Sequence, residues 1–225
     1  MDKRVITFSL WGDIPKYIVG AIKNVYLAQM IYNGWICRFY CGASVPKDII
    51  STLDQFDNVE LVFPEIEEEY NNLFWRFLAI DDPDVEVMIS RDTDSRLSSR
   101  EKAAVDEWLT SDKGFHIMRD HIYHAIEIPG GMFGCKRGTI NNITEQIKNH
   151  NKSDEYYTDE VFLIKTIWPQ IKNNYLAHDA FGCLDRNPFP TKRIGNEFVG
   201  KIFDENDKTI KEHELILEFS SHLEL

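Results

Sequence analysis

Two aspartates at the end of an apolar segment are the side chains of this sequence best suited to bind a metal ion. Val85, Val87, Met88 and Ile89 are apolar, and three of them are β-branched, which is typical of a buried strand. Asp92 and Asp94 follow it, so both carboxylates can project to one side of an extended or turning segment. Their oxygens suit a divalent cation, whose remaining coordination positions would accept a diphosphate. A solvated turn also explains Asp-x-Asp, but ligands of open α/β sheets bind at the carboxyl ends of strands.

The elements that must position this pair alternate between strands and helices. Strands are predicted at 5–10, 35–40, 59–63, 85–89 and 115–118. The first predicted helix begins at Pro15 and stops at Asn33-Gly34, and the second covers 46–56. A third runs from the acidic run 65–69 to Pro83. A fourth runs from the capping box Ser98-x-x-Glu101 to Leu109. This order predicts an α/β fold with a mainly parallel central sheet and helices on both faces.

The second half of the sequence is less regular. We expect a strand at 132–135, a helix at 140–148, a polar loop at 149–156, a helix from Thr158 toward Trp168, and strands at 175–177 and 197–203. A single domain is expected over residues 1–207. A C-terminal tail at 208–225 is expected to form a terminal helix or to remain partly loose.

The composition narrows the choice of partners and location. The formal net charge of −12 argues against binding to nucleic acid or to an anionic membrane surface, since both require a basic surface. No apolar run approaches the length needed to span a membrane. The four cysteines lack the spacing of a zinc site and are expected to be buried free thiols in a reducing compartment. With no signal-peptide pattern at the N-terminus, a cytoplasmic protein is expected.

Four segments taken together resemble GT-A-type nucleotide-sugar glycosyltransferases. They are Phe8-Ser-Leu-Trp-Gly12, Ser90-Arg-Asp-Thr-Asp-Ser-Arg96, His116-Ile-Met-Arg-Asp-His121 and Gly130-Gly-Met-Phe-Gly134. The resemblance spans roughly residues 5–203 and is to small viral and bacterial members, including those of large algal viruses and family-eight-like transferases. It implies a GT-A-like (Rossmann-like) fold and metal-dependent transfer of a sugar from a UDP-sugar to a hydroxyl acceptor, with a glycan as the expected acceptor. A viral origin would place the protein in the host cytoplasm.

The resemblance also implies roles for individual side chains. Asp92 and Asp94 would hold Mn²⁺ or Mg²⁺ against the donor diphosphate, and His178, after a late strand, would be a further ligand that favours Mn²⁺. Asp159 is the first candidate and Glu160 the second for the base that removes the proton of the acceptor hydroxyl. An acid at a helix start also serves as a partner of the helix dipole, and that alternative stays open for Asp159.

A further set of residues is expected around the donor. It comprises Ser9, Leu10, Trp11, Arg76, Arg91, Gly130, Gly131 and Lys192. Backbone groups at the end of the first strand would border the nucleotide, and an arginine fork matches the geometry of a diphosphate. Paired glycines would let the backbone approach the sugar closely, and Lys192 would close over the diphosphate from the C-terminal region. Burial of Trp11 in the core and ion pairing of the arginines with acidic side chains are the alternatives.

Two other functions remain open at this point. A sugar nucleotidyltransferase also uses an α/β sheet and Mg²⁺, but it usually has a glycine-rich loop with a basic residue after the first strand, which residues 9–13 lack. A non-catalytic carbohydrate-binding domain of the same fold is the second alternative, and the two intact aspartates argue against it. The identity of the sugar and the acceptor, and the stereochemical outcome of transfer, are not determined by the sequence.

Overall fold

A seven-stranded mixed sheet forms the centre of the computed structural model, which describes residues 2–65, 69–150 and 157–225. The strands are β1 (Lys3–Leu10), β2 (Ile36–Cys41), β3 (Val59–Val62), β4 (Val85–Ser90), β5 (Phe115–Arg119), β6 (Phe133–Lys136) and β7 (Tyr175–Asp179). Their order in the sheet is β3-β2-β1-β4-β6-β5-β7. β6 is antiparallel to β4 and β5, and the other pairings are parallel. The predicted α/β fold with a mainly parallel sheet is confirmed.

Helical segments connect most of the strands. They are α1 (Pro15–Ile31), α2 (Lys47–Leu53), a 3₁₀ helix (Glu69–Asp81), α3 (Ser99–Thr110), a 3₁₀ turn (Ile122–His124), α4 (Ile143–Asn149), α5 (Thr158–Phe162), a π-helical turn (Leu163–Ile167), α6 (Trp168–Ile171), α7 (Lys211–Ser220) and a final 3₁₀ turn (Ser221–Leu223). Pro15 opens α1, and the Ser98 hydroxyl caps α3 by accepting from Glu101 N at 3.2 Å. None of these helices is long and apolar enough to cross a membrane, over the residues that the structure describes.

Hydrophobic side chains pack on both faces of the sheet. Successive residues of a strand point to opposite faces, so Val5 and Met88 belong to one core while Ile6 and Ile89 belong to the other. One core lies under the 3₁₀ helix, α4 and the helix formed by α5 and α6; the other lies under α1 and α3. Burial on both faces explains why these strands are almost continuously apolar in sequence.

Two predictions of secondary structure need correction, and a third falls partly outside the described residues. The predicted helix before β4 is a 3₁₀ helix, and residues 66–68 of that prediction lie outside the described residues. The predicted strand at 197–203 is wrong, because Gly200 has a φ of 83° and Phe203 makes only an isolated bridge to Thr209. Residues 151–156 of the predicted loop at 149–156 also lie outside the described residues.

The C-terminal segment 208–225 packs onto the domain. It contains α7, and the Leu225 N–H donates to the carbonyl of Ala180 at 2.8 Å. The carboxylate of Glu224 accepts hydrogen bonds from Arg100 at 3.0 Å and from Arg193 at 3.1 Å. These contacts hold the segment in one place, so the terminal helix that was one of the two expectations is the one observed.

Candidate active site

Asp92 and Asp94 lie directly after β4, which is between β1 and β6 in the middle of the sheet. Ser95 folds the segment into a turn, because its N–H and its hydroxyl both donate to the Asp92 carbonyl, at 3.3 and 2.8 Å. Asp94 is largely buried, whereas the Asp92 side chain is 45 % exposed. The two carboxylates therefore stand at a strand carboxyl end, one of them open to solvent.

Asn24 of α1 holds this turn from the inside. Its side-chain amide donates to the carbonyls of Thr93 and Ser95 at 3.3 and 2.9 Å, and its oxygen accepts from Leu97 N at 3.0 Å. Asn24 is fully buried. One turn earlier, Gly20 leaves room for the Thr93 carbonyl, with which a Cβ atom would collide. The helix thus fixes the backbone of the aspartate pair, a contact that no sequence pattern indicated.

Arg76, in the 3₁₀ helix, joins two acidic residues of the site. Its Nη1 donates to Asp92 Oδ1, and its Nη2 donates to Asp159 Oδ2 at 2.8 Å. The residue is only 3 % exposed, and its backbone N–H donates to the Ser9 hydroxyl at 3.2 Å. Burial disfavours the charged guanidinium, but the two carboxylates outweigh burial and raise the pKa of Arg76. The structure therefore brings the predicted Arg76 to the aspartate pair as the partner of Asp92.

Lys16, in the first turn of α1, is the cation beside Asp94. Its ammonium lies 2.9 Å from Asp94 Oδ2. Burial, and then the negative charge of Asp92, raise the pKa of Asp94, while Lys16 opposes that shift. Sequence reasoning missed Lys16, since the two partners are separated by most of the first half of the chain.

Asp159 and Glu160 begin α5 next to the same cluster. Asp159 is 2 % exposed, and burial raises its pKa although Arg76 opposes the shift. Burial, together with the charge of Asp159, raises the pKa of Glu160 to about 7. Glu160 Oε1 accepts from the backbone N–H of Gly130 at 3.3 Å. Both predicted acids are therefore in the site, but with different surroundings.

Gly130 and Gly131 pack directly against these charged side chains. A Cβ atom on Gly131 would overlap the Asp92 carboxylate, and one on Gly130 would lie 2.7 Å from both Arg76 Nη2 and Asp159 Oδ2. The Gly130 carbonyl accepts from the Ser90 hydroxyl at 2.8 Å, which holds the turn against β4. The close approach of this backbone to a sugar stays a prediction, and the structure shows its close approach to Asp92, Arg76 and Asp159.

The residues predicted at the end of β1 differ in exposure. Ser9 is bonded to the 3₁₀ helix, with its hydroxyl 3.4 Å from the Leu73 carbonyl, and Leu10 is buried in the core. Trp11 is partly exposed, and its ring meets that of Trp75 edge to face with centroids 6.5 Å apart. Of these three predicted residues, Trp11 is the one whose side chain is partly exposed to solvent, and it is also packed against Trp75.

Arg91 is turned into the interior. It is 1 % exposed, its Nε donates to Glu101 Oε1 at 2.7 Å, and its Nη1 donates to the carbonyl of Phe133 at 3.1 Å. This ion pair was the alternative that the sequence left open, and the predicted donor contact of Arg91 is corrected accordingly. Lys192 is exposed, and no hydrogen bond or ion pair joins it to the acidic cluster within the described chain.

His178 lies in β7 at the edge of the sheet, three strands from β4. It is fully buried; its Nδ1 is 2.8 Å from His116 Nε2, and its Nε2 is 3.5 Å from Glu107 Oε1. Burial lowers the pKa of His178. Over the described ranges, no group of three or more His, Cys, Asp or Glu side chains is arranged to hold a metal ion. The structure therefore does not bring His178 to Asp92 and Asp94 as a third ligand.

The donor set of the two aspartates fits a hard divalent cation. Arg76 binds Oδ1 of Asp92 and Lys16 binds Oδ2 of Asp94, so each carboxylate keeps a second oxygen to which the described side chains donate no hydrogen bond. The two negative charges repel each other, and a shared cation would relieve that repulsion. Oxygen ligands of this kind suit Mg²⁺ and Mn²⁺.

Comparisons with known proteins identify the fold. No protein-family model matches the sequence, and no curated protein sequence does. A glycosyltransferase involved in the glycosylation of the major capsid of PBCV-1 is similar in structure, with a TM-score of 0.53, 15 % identity, and 79 % of this chain and 82 % of that chain covered. A proposed glucose-1-phosphate thymidylyltransferase from Bacillus anthracis has a TM-score of 0.51 and 12 % identity, with 80 % and 87 % covered.

A third similar structure contains a nucleotide. It is glucosyl-3-phosphoglycerate synthase from Mycobacterium tuberculosis in complex with UDP, with a TM-score of 0.50, 10 % identity, and 87 % of this chain and 76 % of that chain covered. The chain thus has a GT-A-like fold, which confirms the fold that the resemblance implied. At these identities the likeness identifies the fold, and both glycosyltransferases and nucleotidyltransferases share it.

Proposed function

We propose that this protein is a metal-dependent glycosyltransferase. It transfers a sugar from a nucleoside-diphosphate sugar, with a UDP-sugar as the expected donor, to a hydroxyl acceptor, with a glycan as the expected class. One observation carries the proposal: the exposed carboxylate of Asp92, at the carboxyl end of β4, is linked through Arg76 to the acidic start of α5. That linkage joins a cation site to a candidate base in one cluster. The similar protein crystallised with UDP supports the choice of donor.

Asp92 and Asp94 would hold Mn²⁺ or Mg²⁺ beside the donor diphosphate. A bound divalent cation stabilises the negative charge that develops on the departing diphosphate. Arg76 keeps the Asp92 carboxylate in a fixed orientation, because its guanidinium is buried and is held by Asp159 as well. With the leaving group neutralised in this way, no general acid is required.

Glu160 is the better candidate for the general base, and Asp159 is the better candidate for a positioning residue. Asp159 is 2 % exposed and bound to Arg76, so its carboxylate is already occupied. Glu160 is less buried, and its pKa of about 7 leaves a substantial fraction ionised at neutral pH. In the proposed step the Glu160 carboxylate takes the proton of the acceptor hydroxyl. The acceptor oxygen forms a bond to the sugar carbon while the bond from that carbon to the diphosphate oxygen breaks.

A sugar nucleotidyltransferase is the second candidate, and Lys16 is the observation that favours it. The residues directly after β1 lack a glycine-rich basic loop, but Lys16 brings a basic side chain to within 2.9 Å of Asp94 from the start of the next helix. In a nucleotidyltransferase that ammonium would face the phosphates of a nucleoside triphosphate. Products distinguish the two reactions, because one releases UDP and the other releases pyrophosphate.

Calorimetric titration of UDP in the presence and absence of Mn²⁺ tests the donor and metal sites. Asp92→Asn and Asp94→Asn should each abolish Mn²⁺-dependent UDP binding, since the amide keeps the shape but removes the charge. Asp57→Asn, at an exposed aspartate, is the matched control and should bind as the unaltered protein does. Unchanged Mn²⁺-dependent affinity for UDP in both variants would show that the two aspartates do not form the metal site.

A panel of UDP-, GDP- and dTDP-sugars, followed by an assay of released nucleotide, tests the reaction. Release of UDP that depends on an added hydroxyl acceptor is expected. Release of pyrophosphate from UTP and a hexose 1-phosphate, without UDP release from any nucleotide sugar, would establish the second candidate instead.

A further inference from the structure

The two cations beside the aspartate pair differ in how firmly they are held. Arg76 is 3 % exposed and its guanidinium is bound by two carboxylates, so it cannot leave without stranding Asp159. The Lys16 side chain is 32 % exposed, and Asp94 is the carboxylate it contacts. A lysine side chain is a flexible four-carbon chain with a point charge, which can turn into solvent at small cost.

Lys16 lies close enough to Asp94 to oppose the binding of a second cation to the same carboxylate. Its ammonium contacts Asp94 Oδ2 at 2.9 Å and lies 4.4 Å from the centre of the Tyr17 ring. An ammonium at that distance repels any divalent ion that shares the same carboxylate. A single neighbouring charge changes the affinity of a carboxylate for a proton by about 10- to 1,000-fold, and it acts on a metal ion by the same electrostatic force.

We propose that Lys16 is a tethered competitor of the divalent cation at Asp94. In the free protein its ammonium neutralises Asp94. When a divalent ion binds to Asp92 and Asp94, Lys16 swings away from the carboxylate toward solvent. Lys16 thereby sets the concentration at which the metal binds, and it prevents metal from occupying the site at low concentration. This inference rests on the proposed function, since it takes the aspartate pair as the metal site.

The inference is tested by titrating the protein with Mn²⁺ alone and measuring the free ion by electron paramagnetic resonance. This measurement does not depend on enzymatic activity. Lys16→Met removes the charge but keeps a similar length, and it should tighten Mn²⁺ binding about tenfold or more. Lys16→Arg keeps the charge and should bind Mn²⁺ as the unaltered protein does. Lys102→Met is the matched control: it makes the same change in net charge and breaks an ion pair with Asp106 on α3, so its Mn²⁺ affinity should stay the same. Melting curves confirm that each variant is folded.

The outcomes separate this inference from the proposed function. The metal site is supported if Asp94→Asn abolishes Mn²⁺ binding. If Lys16→Met then binds Mn²⁺ no more tightly than the unaltered protein, Lys16 is not a competitor, and only this inference fails. If Lys16→Met and Lys102→Met tighten binding equally, the effect is one of overall charge and the inference also fails. If neither the unaltered protein nor Lys16→Met binds Mn²⁺ through Asp94, the proposed metal site fails and the inference fails with it.

Discussion

Arg76 donates to the carboxylate of Asp159 at 2.8 Å, and both residues are almost completely buried. The same guanidinium also binds Asp92, whose side chain is about half exposed. A residue of the 3₁₀ helix before β4 thus ties the start of α5 to the aspartate pair after β4. The two carboxylates differ in exposure: Asp92 faces the solvent, and Asp159 is buried behind it on the other side of Arg76.

Arg76→Met should destabilise the protein by about 3–5 kcal/mol, because it leaves the Asp159 carboxylate buried without its cationic partner. Denaturant unfolding monitored by circular dichroism measures the loss. The double variant Arg76→Met with Asp159→Leu replaces the buried pair by apolar side chains and should recover most of the stability. Its Mn²⁺-dependent UDP binding should still be weaker than that of the unaltered protein, because Asp92 lacks Arg76 in both variants. Equal stability of Arg76→Met and the unaltered protein would mean that the pair contributes no net charge interaction.

Gly131→Ala should weaken Mn²⁺-dependent UDP binding by turning the Asp92 carboxylate away, since the new methyl group would overlap it. The neighbouring variant Gly130→Ala places its methyl group 2.7 Å from Arg76 Nη2 and Asp159 Oδ2, and so acts on the buried pair. We therefore expect Gly131→Ala to lower affinity with little change in melting temperature, and Gly130→Ala to lower both. Calorimetry and thermal melting of the two variants decide this, and the reverse pattern would contradict it.

The architecture could be predicted because buried strands and helix starts leave local signals. Strands covered on both faces are apolar throughout, Pro15 marks the start of α1, and Ser98 marks the start of α3. The 3₁₀ helix was predicted only as a helix, because its apolar residues recur at a spacing that suits either helical form. The irregular segment around Gly200 contains enough apolar residues to suggest a strand, and the positive φ of Gly200 and the isolated bridge of Phe203 show that it is not one.

The pairing of charges could not be predicted in the same way. Asp92 and Asp94 are predicted from their residue type and their place at the end of a strand. The roles of Asp159 and Glu160 follow from the resemblance to GT-A-type glycosyltransferases together with their place at a helix start. Their partners are contributed by distant parts of the chain, and which acid an arginine or lysine meets depends on the packing of whole elements. Arg91 illustrates this, because α3 places Glu101 beside it in the core and so directs its side chain inward.

His178→Ala should leave the affinity for Mn²⁺ and for Mg²⁺ unchanged. The residue is enclosed by His116, Glu107 and the ring of Phe189, at the edge of the sheet opposite to β3. Removing a buried ring should instead lower the free energy of unfolding by about 0.5–3 kcal/mol. The same Mn²⁺ titration and a denaturant curve give both numbers. A selective loss of Mn²⁺ binding would mean that His178 is a metal ligand after all. In that case β7 would have to rearrange from its position in this structure.

Glu160→Gln should remove a pH dependence from both activity and stability. Burial and the charge of Asp159 raise the pKa of Glu160 to about 7, and a general base acts when it is ionised. Transfer by the unaltered protein should therefore rise with pH and level off above about 7. In Glu160→Gln that rise should be absent, with a rate lower by about 10²–10⁴-fold and with UDP binding retained.

Ionisation of Glu160 should also change the stability of the protein, which should fall with rising pH while the transfer rate increases. A pKa that is higher in the folded state than in the unfolded chain favours the folded protein most when the group is protonated. The contribution of Glu160 is therefore complete below the pKa of an unfolded glutamate, about 4.3, and is lost as the pH rises through about 7. Unfolding free energies measured from pH 4 to pH 9 should decline less steeply for Glu160→Gln, whereas Glu205→Gln, at an exposed glutamate, should follow the unaltered protein. If the rise of the transfer rate with pH persists in Glu160→Gln, another group is the base, and Asp159 is the next to test.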